Sequence, residues 1–408
     1  MQSSSRAWTV LAERNFGLFW VSLLISAVGS QLSNVAIGWQ VYELTNSPLQ
    51  LGLTGLFRAI PTIIFSLTGG VLADRVDRRR LLIVTQSLAM ALAFLLSFLT
   101  KTGWVQVWHI YAITFLTGAV TTFDIPARMA LTPSLVSREN LSMAFALNVT
   151  LRQTASLLGP FLAGIIIAWL GLSWSHFLNG VSFLGVVICL ITMKVRAAPA
   201  EMKESAWQSM GAGLRFVRGN SVILGLLLMD TCVSFFGAYR VLMPVFARDL
   251  LGVGPTGLGA LLGAPAVGAL VGSSIIIGSG NLNRAGRHVL WVTLAYTAGL
   301  VLFAVTRSFV LSLVINFVIG GLDAVGETLR VTIIQLLTPD DMRGRVQALV
   351  HVFVMGIPFL GQSYIGVAAS LLGPASAVVL GGVLGALVVG IVAVKLPAIK
   401  KFEVEPAV

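Results

Sequence analysis

Apolar stretches of about twenty residues recur along almost the whole chain, from Phe16 to Leu396, with only short polar breaks between them. About twenty helical residues span about 30 Å, the thickness of the hydrocarbon core of a bilayer. In hydrocarbon every backbone N–H and C=O needs a partner within the protein, and continuous apolar runs favour helices over the alternating strands of a barrel. The sequence therefore predicts an all-α integral membrane protein.

The apolar runs predict twelve transmembrane helices joined by short loops. These helices cover residues 16–43, 48–73, 81–101, 104–128, 141–170, 173–194, 219–247, 255–280, 288–306, 309–336, 344–371 and 374–396. The longest polar break divides them six and six. The predicted domains are an N-terminal six-helix half (1–194), a cytoplasmic linker (195–218) and a C-terminal six-helix half (219–408).

The linker has the pattern of a short amphipathic helix. Four of its large apolar residues recur at helical spacing: Trp207, Met210, Leu214 and Val217. This spacing is typical of a helix that lies on the membrane interface. A flexible linker is an equally good interpretation.

A weak internal repeat supports the division into two halves. Residues 134–147, before the fifth predicted helix, align without gaps on residues 336–349, before the eleventh. Two related, pseudo-symmetric bundles of this kind are how many carriers obtain alternating access.

The net charge of +11 at pH 7 reflects membrane topology rather than nucleic-acid binding. Most of the 27 Lys and Arg fall at the amino terminus and in alternate predicted loops, and the opposite loops hold only Lys101, Arg248 and Arg307. Cytoplasmic loops carry an excess of basic residues, so both termini are predicted to be cytoplasmic. Residues 1–15 lack the pattern of a cleaved signal peptide, and the first helix is expected to remain.

Missing motifs argue against several classes of protein. Cys189 and Cys232 lie in apolar segments without C-x-x-C spacing, so neither a disulfide framework nor a zinc site is expected. No G-x-x-x-x-G-K-[ST] loop is present, which argues against direct use of ATP. No G-x-S-x-G nucleophile elbow is present, and an enzyme is not expected. No cofactor or metal is predicted.

The stretch GVLADRVDRRRL (residues 70–81) lies between the second and third predicted helices. It resembles the cytoplasmic signature that the major facilitator superfamily carries at this place. The resemblance implies a conformational latch whose residues do not contact substrate: Gly70, Asp74, Arg75, Arg78 and Arg79. Asp77 departs from the family pattern, which usually has glycine there.

A second resemblance lies in the fifth predicted helix. Gly159 and Pro160 begin the sequence GPFLAG, which is similar to the antiporter signature of the superfamily, where a Gly-Pro break lets helices pack closely and bend. Two alanines replace glycines that are common in that signature, and an ordinary proline kink is the alternative. Segments 123–128 and 133–139 resemble the subgroup that contains enterobactin and macrolide exporters.

These resemblances imply the major facilitator fold and a secondary active transporter. We expect it to export a small amphipathic molecule, such as a drug, a macrolide or a siderophore-like metabolite, across the bacterial cytoplasmic (inner) membrane. Proton antiport with alternating access is expected. The implied partners are the small-molecule substrate, protons and the lipid bilayer, and the implied assembly is a monomer that binds no nucleic acid.

One departure bears on the coupling. Proton-coupled members often carry an arginine within the fourth helix, and here no Lys or Arg occurs from Trp104 until Arg128. An importer or uniporter of a small metabolite or lipid with the same fold is one alternative function. A transport-inactive membrane sensor or scaffold is another.

Ionisable residues at membrane depth are costly, and each is by default a functional candidate. Asp323, Glu327 and Arg330 are spaced i, i+4, i+7 and share one face of the tenth predicted helix, which the resemblance places along the central cavity. Asp230 lies near the middle of the seventh predicted helix. We predict that Asp230, Asp323 and Glu327 are the candidates for proton coupling and that Arg330 acts in gating. A fixed pair of Asp323 or Glu327 with Arg330 or Arg240 is the alternative.

Further polar and aromatic residues could contact an amphipathic solute. The candidates for the substrate cavity are Gln31, Asn34, Trp39, Phe235, Tyr239, Arg240, Asn316 and Asp323. Helix packing alone is the alternative for those on the first helix. Asp124, Arg128 and Arg152 are expected to act in conformational change, with Arg152 pairing with Asp124 or meeting an anionic substrate.

Overall fold

A computed structural model describes the backbone of residues 2–193, 206–279, 284–400 and 402–403. Within these ranges it leaves out the side chains of 2–6, 66–75, 206–210, 277–279, 348, 351, 352, 354 and 355. The backbone that it describes is almost entirely helical.

The helices follow one another with short connections. The first part of the chain forms α1 (Gln2–Ala12), α2 (Arg14–Thr45), α3 (Pro48–Arg75), α4 (Arg78–Thr102), α5 (Val107–Leu131), α6 (Leu141–Leu170) and α7 (Leu172–Thr192). The second part forms α8 (Ala206–Gly219), α9 (Ser221–Phe236), α10 (Met243–Val245), α11 (Gly254–Ser279), α12 (Ala285–Val305), α13 (Phe309–Leu337), α14 (Arg343–Leu372), α15 (Pro374–Lys395) and α16 (Pro397–Lys400).

Eleven segments of the described chain are long and apolar enough to cross a bilayer, judged by length and composition. The remaining long helix, α14, contains a shorter apolar stretch, Gly356–Leu372. The prediction of an all-α membrane protein with twelve spans is confirmed.

The connections support the internal repeat. α6 and α14 each have 30 residues. Each is followed by one glycine with positive φ, Gly171 at 91° and Gly373 at 86°, before the next helix begins. The two positions are in the same register as the alignment of 134–147 with 336–349. A Cβ atom is strained at these angles, so glycine is the residue that permits a one-residue link.

Contacts divide the chain into two units. The first contains Met1–Asn46, Ile60–Lys203 and Gly254–Gly259, and the second contains Ser47–Ala59, Glu204–Val253 and Ala260–Val408. The predicted boundary at 194/195 lies outside the described residues. α8 belongs to the second unit, where Val217 is buried in the core, Leu214 packs against that core, and Arg215 and Arg218 are exposed.

The first unit combines an apolar core with a buried polar network. Its core includes Phe16, Phe19, Leu82, Leu131 and Leu190. The network joins α2, α4 and α7, and its members are Ser33, Gln40, Thr100 and His176. His176 Nδ1 lies 2.9 Å from Ser33 Oγ, His176 Nε2 lies 3.2 Å from Gln40 Oε1, and Gln40 Nε2 donates to Thr100 Oγ1 at 2.9 Å. Both ring nitrogens are therefore satisfied, and the histidine has a structural role.

An apolar core packs the helices of the second unit, and glycines bring some of these helices into close contact. The core includes Leu226, Met229, Val289, Ile333 and Ile399. α11 and α13 approach at small residues. A Cβ atom on Gly320 would overlap the backbone of Pro265, and one on Gly268 would overlap the carbonyl oxygen of Phe317. Small residues allow this because association of helices in lipid depends on van der Waals packing.

We predict that Gly320→Ala separates α11 from α13 and destabilises the protein. The added methyl group meets backbone rather than a side chain that can rotate away, and such overpacking costs about 1–3 kcal/mol. Thermal unfolding of the purified protein in detergent measures the effect. Gly185→Ala on α7 is the matched control, because a Cβ atom there meets nothing within 4 Å. Equal melting temperatures for the two variants would contradict this account of the packing.

Candidate functional site

The segment predicted as one helix over 219–247 is interrupted. α9 ends at Phe236, and the N–H of Gly237 donates to the carbonyl of Val233 at 2.8 Å. The chain continues as a 3-10 turn (Tyr239–Leu242), α10 and a π-helix (Phe246–Leu250). The prediction of a continuous helix is wrong here, because Gly237 and the following Pro244 break the regular pattern. Broken helices at membrane depth often carry the substrate and ion sites of transporters.

A buried ion pair joins α9 to α13 just before this break. Arg330 Nη2 lies 2.8 Å from Asp230 Oδ1, and the two side chains are only 13% and 19% exposed. The sequence left open a pair between Arg330 and Asp323 or Glu327. The structure gives Arg330 a partner on the neighbouring helix α9, which the spacing of charges along α13 could not predict.

A buried hydrogen-bonded pair lies next to Arg240. The Tyr239 hydroxyl donates to Asn316 Oδ1 at 2.8 Å, and Tyr239 interacts electrostatically with Arg240. Asn316 Nδ2 in turn donates to the carbonyl of Ser312 at 3.0 Å. Tyr239 and Asn316 are fully buried, so in this structure their polar groups satisfy each other and the backbone rather than face a cavity.

Asp323 completes this cluster in the second unit. Its side chain is exposed, and it interacts electrostatically with Arg240, Asp230 and Tyr296. Glu327, one turn further along α13, is exposed as well. We call Asp230, Arg240, Asp323 and Arg330 the charged cluster. It contains two carboxylates and two guanidiniums from α9, the 3-10 turn and α13. Asp230 interacts with Arg330 and with Asp323, and Asp323 interacts with Arg240.

Aromatic side chains lie next to the break. Phe235 stacks on Tyr364 of α14 with ring centroids 5.2 Å apart, and Phe236 meets both rings edge-on. All three side chains are half-buried. Elsewhere in the second unit, Arg58 lies over the ring of Phe359 at 5.3 Å. Sequence reasoning assigned no role to Arg58 or Tyr364, although a cation inside a predicted helix was the available signal.

In the first unit, Asp124 is the centre of a buried polar cluster. It forms an ion pair with Arg128 one turn later on α5. Gln86 Nε2 and Thr85 Oγ1 of α4 donate to its Oδ1 at 2.6 and 3.2 Å. The expected pair with Arg152 is wrong. Arg152 is exposed, and the i,i+4 spacing on one helix gives Arg128 the shorter reach.

The first residues of α4 connect it to the ends of two other helices. Arg78 Nη1 donates to the carbonyl of Ala130, and Arg79 donates to the carbonyls of Leu190 and Ile191 at 2.5 and 2.8 Å. These carbonyls lie in the last turns of α5 and α7, where cations are favoured. Asp77 caps the start of α4 by accepting from the N–H groups of Arg79 and Arg80.

Asp77 therefore has a physical reason to replace the glycine of the family pattern, since aspartate is among the best residues at an N-cap. The side chains of Gly70, Asp74 and Arg75 lie outside the described residues, so their latch role stays a prediction.

The residues of α2 that were predicted to line the substrate cavity lie where α2 packs against α6. Gln31 Nε2 lies 3.5 Å from Ser156 Oγ, and Asn34 Nδ2 lies 3.4 Å from Gln31 Oε1. Gly159 and Pro160 are buried, and a Cβ atom on Gly159 would overlap the Gln31 side chain. Trp39 is buried as well. Close helix packing accounts for these contacts, which leaves substrate binding by α2 a prediction.

Comparison with known proteins assigns the chain to a protein family. The family described as transmembrane secretion effector, a group of major facilitator transporters, matches residues 5–408. The chain belongs to this family. As a transmembrane secretion effector, it is a multi-pass membrane transporter.

Relatives of this secretion effector include exporters. The enterobactin exporter EntS of Shigella boydii serotype 18 is 27% identical over 380 residues, which cover 92% of this chain and 90% of the relative. EntS of Escherichia coli O1:K1 is 26% identical over the same shares.

Solved structures share the fold at low identity. A bacterial homologue of the human lysosomal transporter Spinster, in an inward-facing and unoccupied conformation, superposes with a TM-score of 0.72 at 12% identity, covering 97% of this chain and 96% of its own. A bacterial homologue of the iron transporter ferroportin, in an inward-facing state, gives 0.71 at 17% identity, with 95% and 99% covered.

We predict that Arg330→Gln strongly destabilises the protein and that Asp230→Asn/Arg330→Gln recovers most of the loss. The single change leaves an uncompensated buried carboxylate, which costs about 3–5 kcal/mol, and the double change removes it. Melting temperatures in detergent test this. The control is Arg343→Gln, which breaks the exposed pair with Asp340 at 2.7 Å, a kind of pair worth only about 0–1 kcal/mol. A double variant no more stable than Arg330→Gln would contradict the pairing.

Proposed function

We propose that this chain exports a small amphipathic molecule across the bacterial cytoplasmic membrane in exchange for protons, by alternating access. The observation that carries the export is the similarity to the enterobactin exporters over 92% of the chain, together with the family match over residues 5–408. The substrate proposed is a drug, a macrolide or a siderophore-like metabolite.

The charged cluster supports the proton half of the proposal. Asp230 and Asp323 interact with each other as like charges, and each has an arginine within reach, Arg330 and Arg240 respectively. A proton bound to either carboxylate relieves their repulsion and weakens its hold on an arginine. The freed guanidinium changes the contacts between α9, the 3-10 turn and α13. Proton binding is thereby linked to the conformation of the broken helix.

The cluster and the aromatic side chains also suggest how a substrate is held. Asp323 is exposed beside Arg240, which offers a donor and an acceptor at one place. Phe235, Phe236 and Tyr364 supply half-buried aromatic faces near the same break. A solute with both ring surfaces and polar groups fits these features.

The remaining parts of the proposal concern orientation and assembly. Both termini are proposed to be cytoplasmic, because the basic residues favour that side by the positive-inside rule. The protein is proposed to act as a monomer. Cysteine labelling from outside the cell at Lys101→Cys and at Lys400→Cys tests the orientation, and only the first should react.

The export proposal is tested by accumulation of a panel of compounds in cells that lack their own exporters. The panel contains enterobactin, a macrolide and a cationic dye. We expect the chain to lower accumulation of at least one compound, and a protonophore to abolish the effect. Export that continues unchanged with the protonophore would contradict the proposed exchange for protons. No effect on any compound, with the protein present in the membrane, would argue against the export half.

We predict that Asp323→Asn uncouples transport from the pH gradient. In proteoliposomes, uptake driven by an imposed gradient should fall by about 5- to 150-fold, the range for a coupling free energy of about 1–3 kcal/mol. Exchange of substrate at equal pH should persist, since it needs no net proton movement. Asp340→Asn, an exposed aspartate next to Arg343, is the control and should behave as wild type. Gradient-driven transport that survives Asp323→Asn would rule out this residue as the coupling site.

A further inference from the structure

A groove runs along the outer surface of α15 in the second unit. It has a volume of about 550 Å³ and is lined by Val383, Ala386, Leu387, Gly390, Ile391, Val394 and Lys395. The lining is aliphatic except at one end, where Lys395 stands in the last turn of the helix. Its walls are strongly exposed, with Val394 at 80% and Leu387 at 56%. A surface of this kind at membrane depth is in contact with acyl chains.

Gly390 creates the depth of the groove. A Cβ atom on Gly390 would meet nothing within 4 Å, so helix packing does not require glycine at this position. The missing side chain opens a notch between Leu387 and Val394, which are one turn away on either side. An acyl chain can lie in such a notch, whereas a larger residue would fill it.

Lys395 gives the groove a charged end. The side chain is exposed, and within the described part of the chain its ammonium group has no hydrogen-bond or ion-pair partner. Lys400 on α16 and Arg287 on α12 are exposed as well, and α16 packs against both α12 and α15. The acidic Glu403 lies 3.9 Å from Arg284. The end of the groove therefore carries net positive charge.

A second groove fixes the position of the first relative to the bilayer. It has a volume of about 470 Å³, shares Val383 with the first groove, and extends along α15 to Ser376 and Arg307. From Ser376 to Lys395 the helix rises by about 28 Å at 1.5 Å per residue, close to the thickness of the hydrocarbon core. Lys395 therefore stands at the depth of the headgroups in the leaflet on the C-terminal side.

Arg307 differs from Lys395 in one respect. Its guanidinium bends back toward the carbonyls of Ala304 and Thr306, both at 3.4 Å, at the end of α12. Among the described residues Lys395 has no comparable contact, and it is the better candidate to bind a phosphate. The two ends of the grooved surface of α15 are therefore not equivalent, and a ligand with a phosphate group is expected at the end with Lys395.

We propose that this groove is a binding site for an anionic glycerophospholipid. One acyl chain lies along Leu387, Gly390 and Val394, and the phosphate of the headgroup meets Lys395. A zwitterionic lipid has the same chains, but its headgroup carries no net charge to match the cations at this end. In the proposed orientation the lipid belongs to the cytoplasmic leaflet. The site lies on the lipid-facing surface, apart from the charged cluster.

The experiment compares two lipids with the full chain purified in detergent. Dioleoyl-phosphatidylglycerol should raise the melting temperature by at least about 3 °C, because it binds the folded state only. Dioleoyl-phosphatidylcholine should raise it less than half as much. Native mass spectrometry should retain the first lipid in preference to the second. High salt should reduce the difference, since the contact with Lys395 is exposed and screened.

Two variants and two matched controls locate the effect. Gly390→Leu places a side chain in the notch at a position where a Cβ atom meets nothing within 4 Å, and Lys395→Gln removes the charge. Each variant should lose more than half of the shift caused by phosphatidylglycerol. Gly185→Leu repeats the first change at another open glycine. Lys101→Gln removes a lysine from the last turn of α4. Both controls should keep the wild-type shift.

Three results would overturn the proposal. Equal stabilisation by both lipids would show that the headgroup is not recognised. A full shift in both Gly390→Leu and Lys395→Gln would place the lipid elsewhere. A change from dimer to monomer with Gly390→Leu in native mass spectrometry would show that a second copy of the chain occupies the groove.

Discussion

A polar group inside hydrocarbon has no water to bind, so the buried charges and backbone groups of a membrane protein depend on partners within the protein. Backbone groups pair along the helices. Where the helix is interrupted after Phe236, the N–H of Gly237 still donates to Val233. Buried charges follow the same rule, with Asp230 paired with Arg330 and Asp124 surrounded by Arg128, Gln86 and Thr85. A candidate site for proton coupling is one where more than two charged side chains interact.

The charged cluster is such a site. A carboxylate with one fixed arginine partner is a structural pair, and Asp124 with Arg128 on the same helix comes close to this description. Asp230 and Asp323 lie within electrostatic reach of each other, and each interacts with an arginine on a different element. More than one arrangement of contacts is then available to the same four side chains, and the choice between them depends on where a proton resides.

Much of the fold follows from the sequence, because hydropathy and length decide whether a segment crosses a bilayer. The order of the helices and the repeat that relates α6 to α14 can therefore be predicted, because both follow from the hydropathy and length of successive segments. The predicted charge pairs were less accurate, since a helical spacing gives the face of a side chain but not its partner on another helix. Arg330 pairs with Asp230 on another helix, which the helical spacing on α13 did not predict, and Asp124 pairs with Arg128 rather than with Arg152.

Other misses have equally physical causes. The interruption at Gly237 was overlooked because one glycine in an apolar run is weak evidence for a break. Tyr239 and Asn316 have the right chemistry for a cavity, but the sequence does not reveal that each satisfies the other. His176 was not recognised as part of a buried network because its partners lie on α2, far away in the chain.

The one-residue links at Gly171 and Gly373 restrict how the protein can move. A connection so short has no slack, so α6 with α7, and α14 with α15, must each travel as a stiff hairpin. Displacement during a transport cycle then has to be absorbed at longer joints or within a helix that is already divided. The segment that follows Gly237 is such a place, and a change there need not disturb the two hairpins.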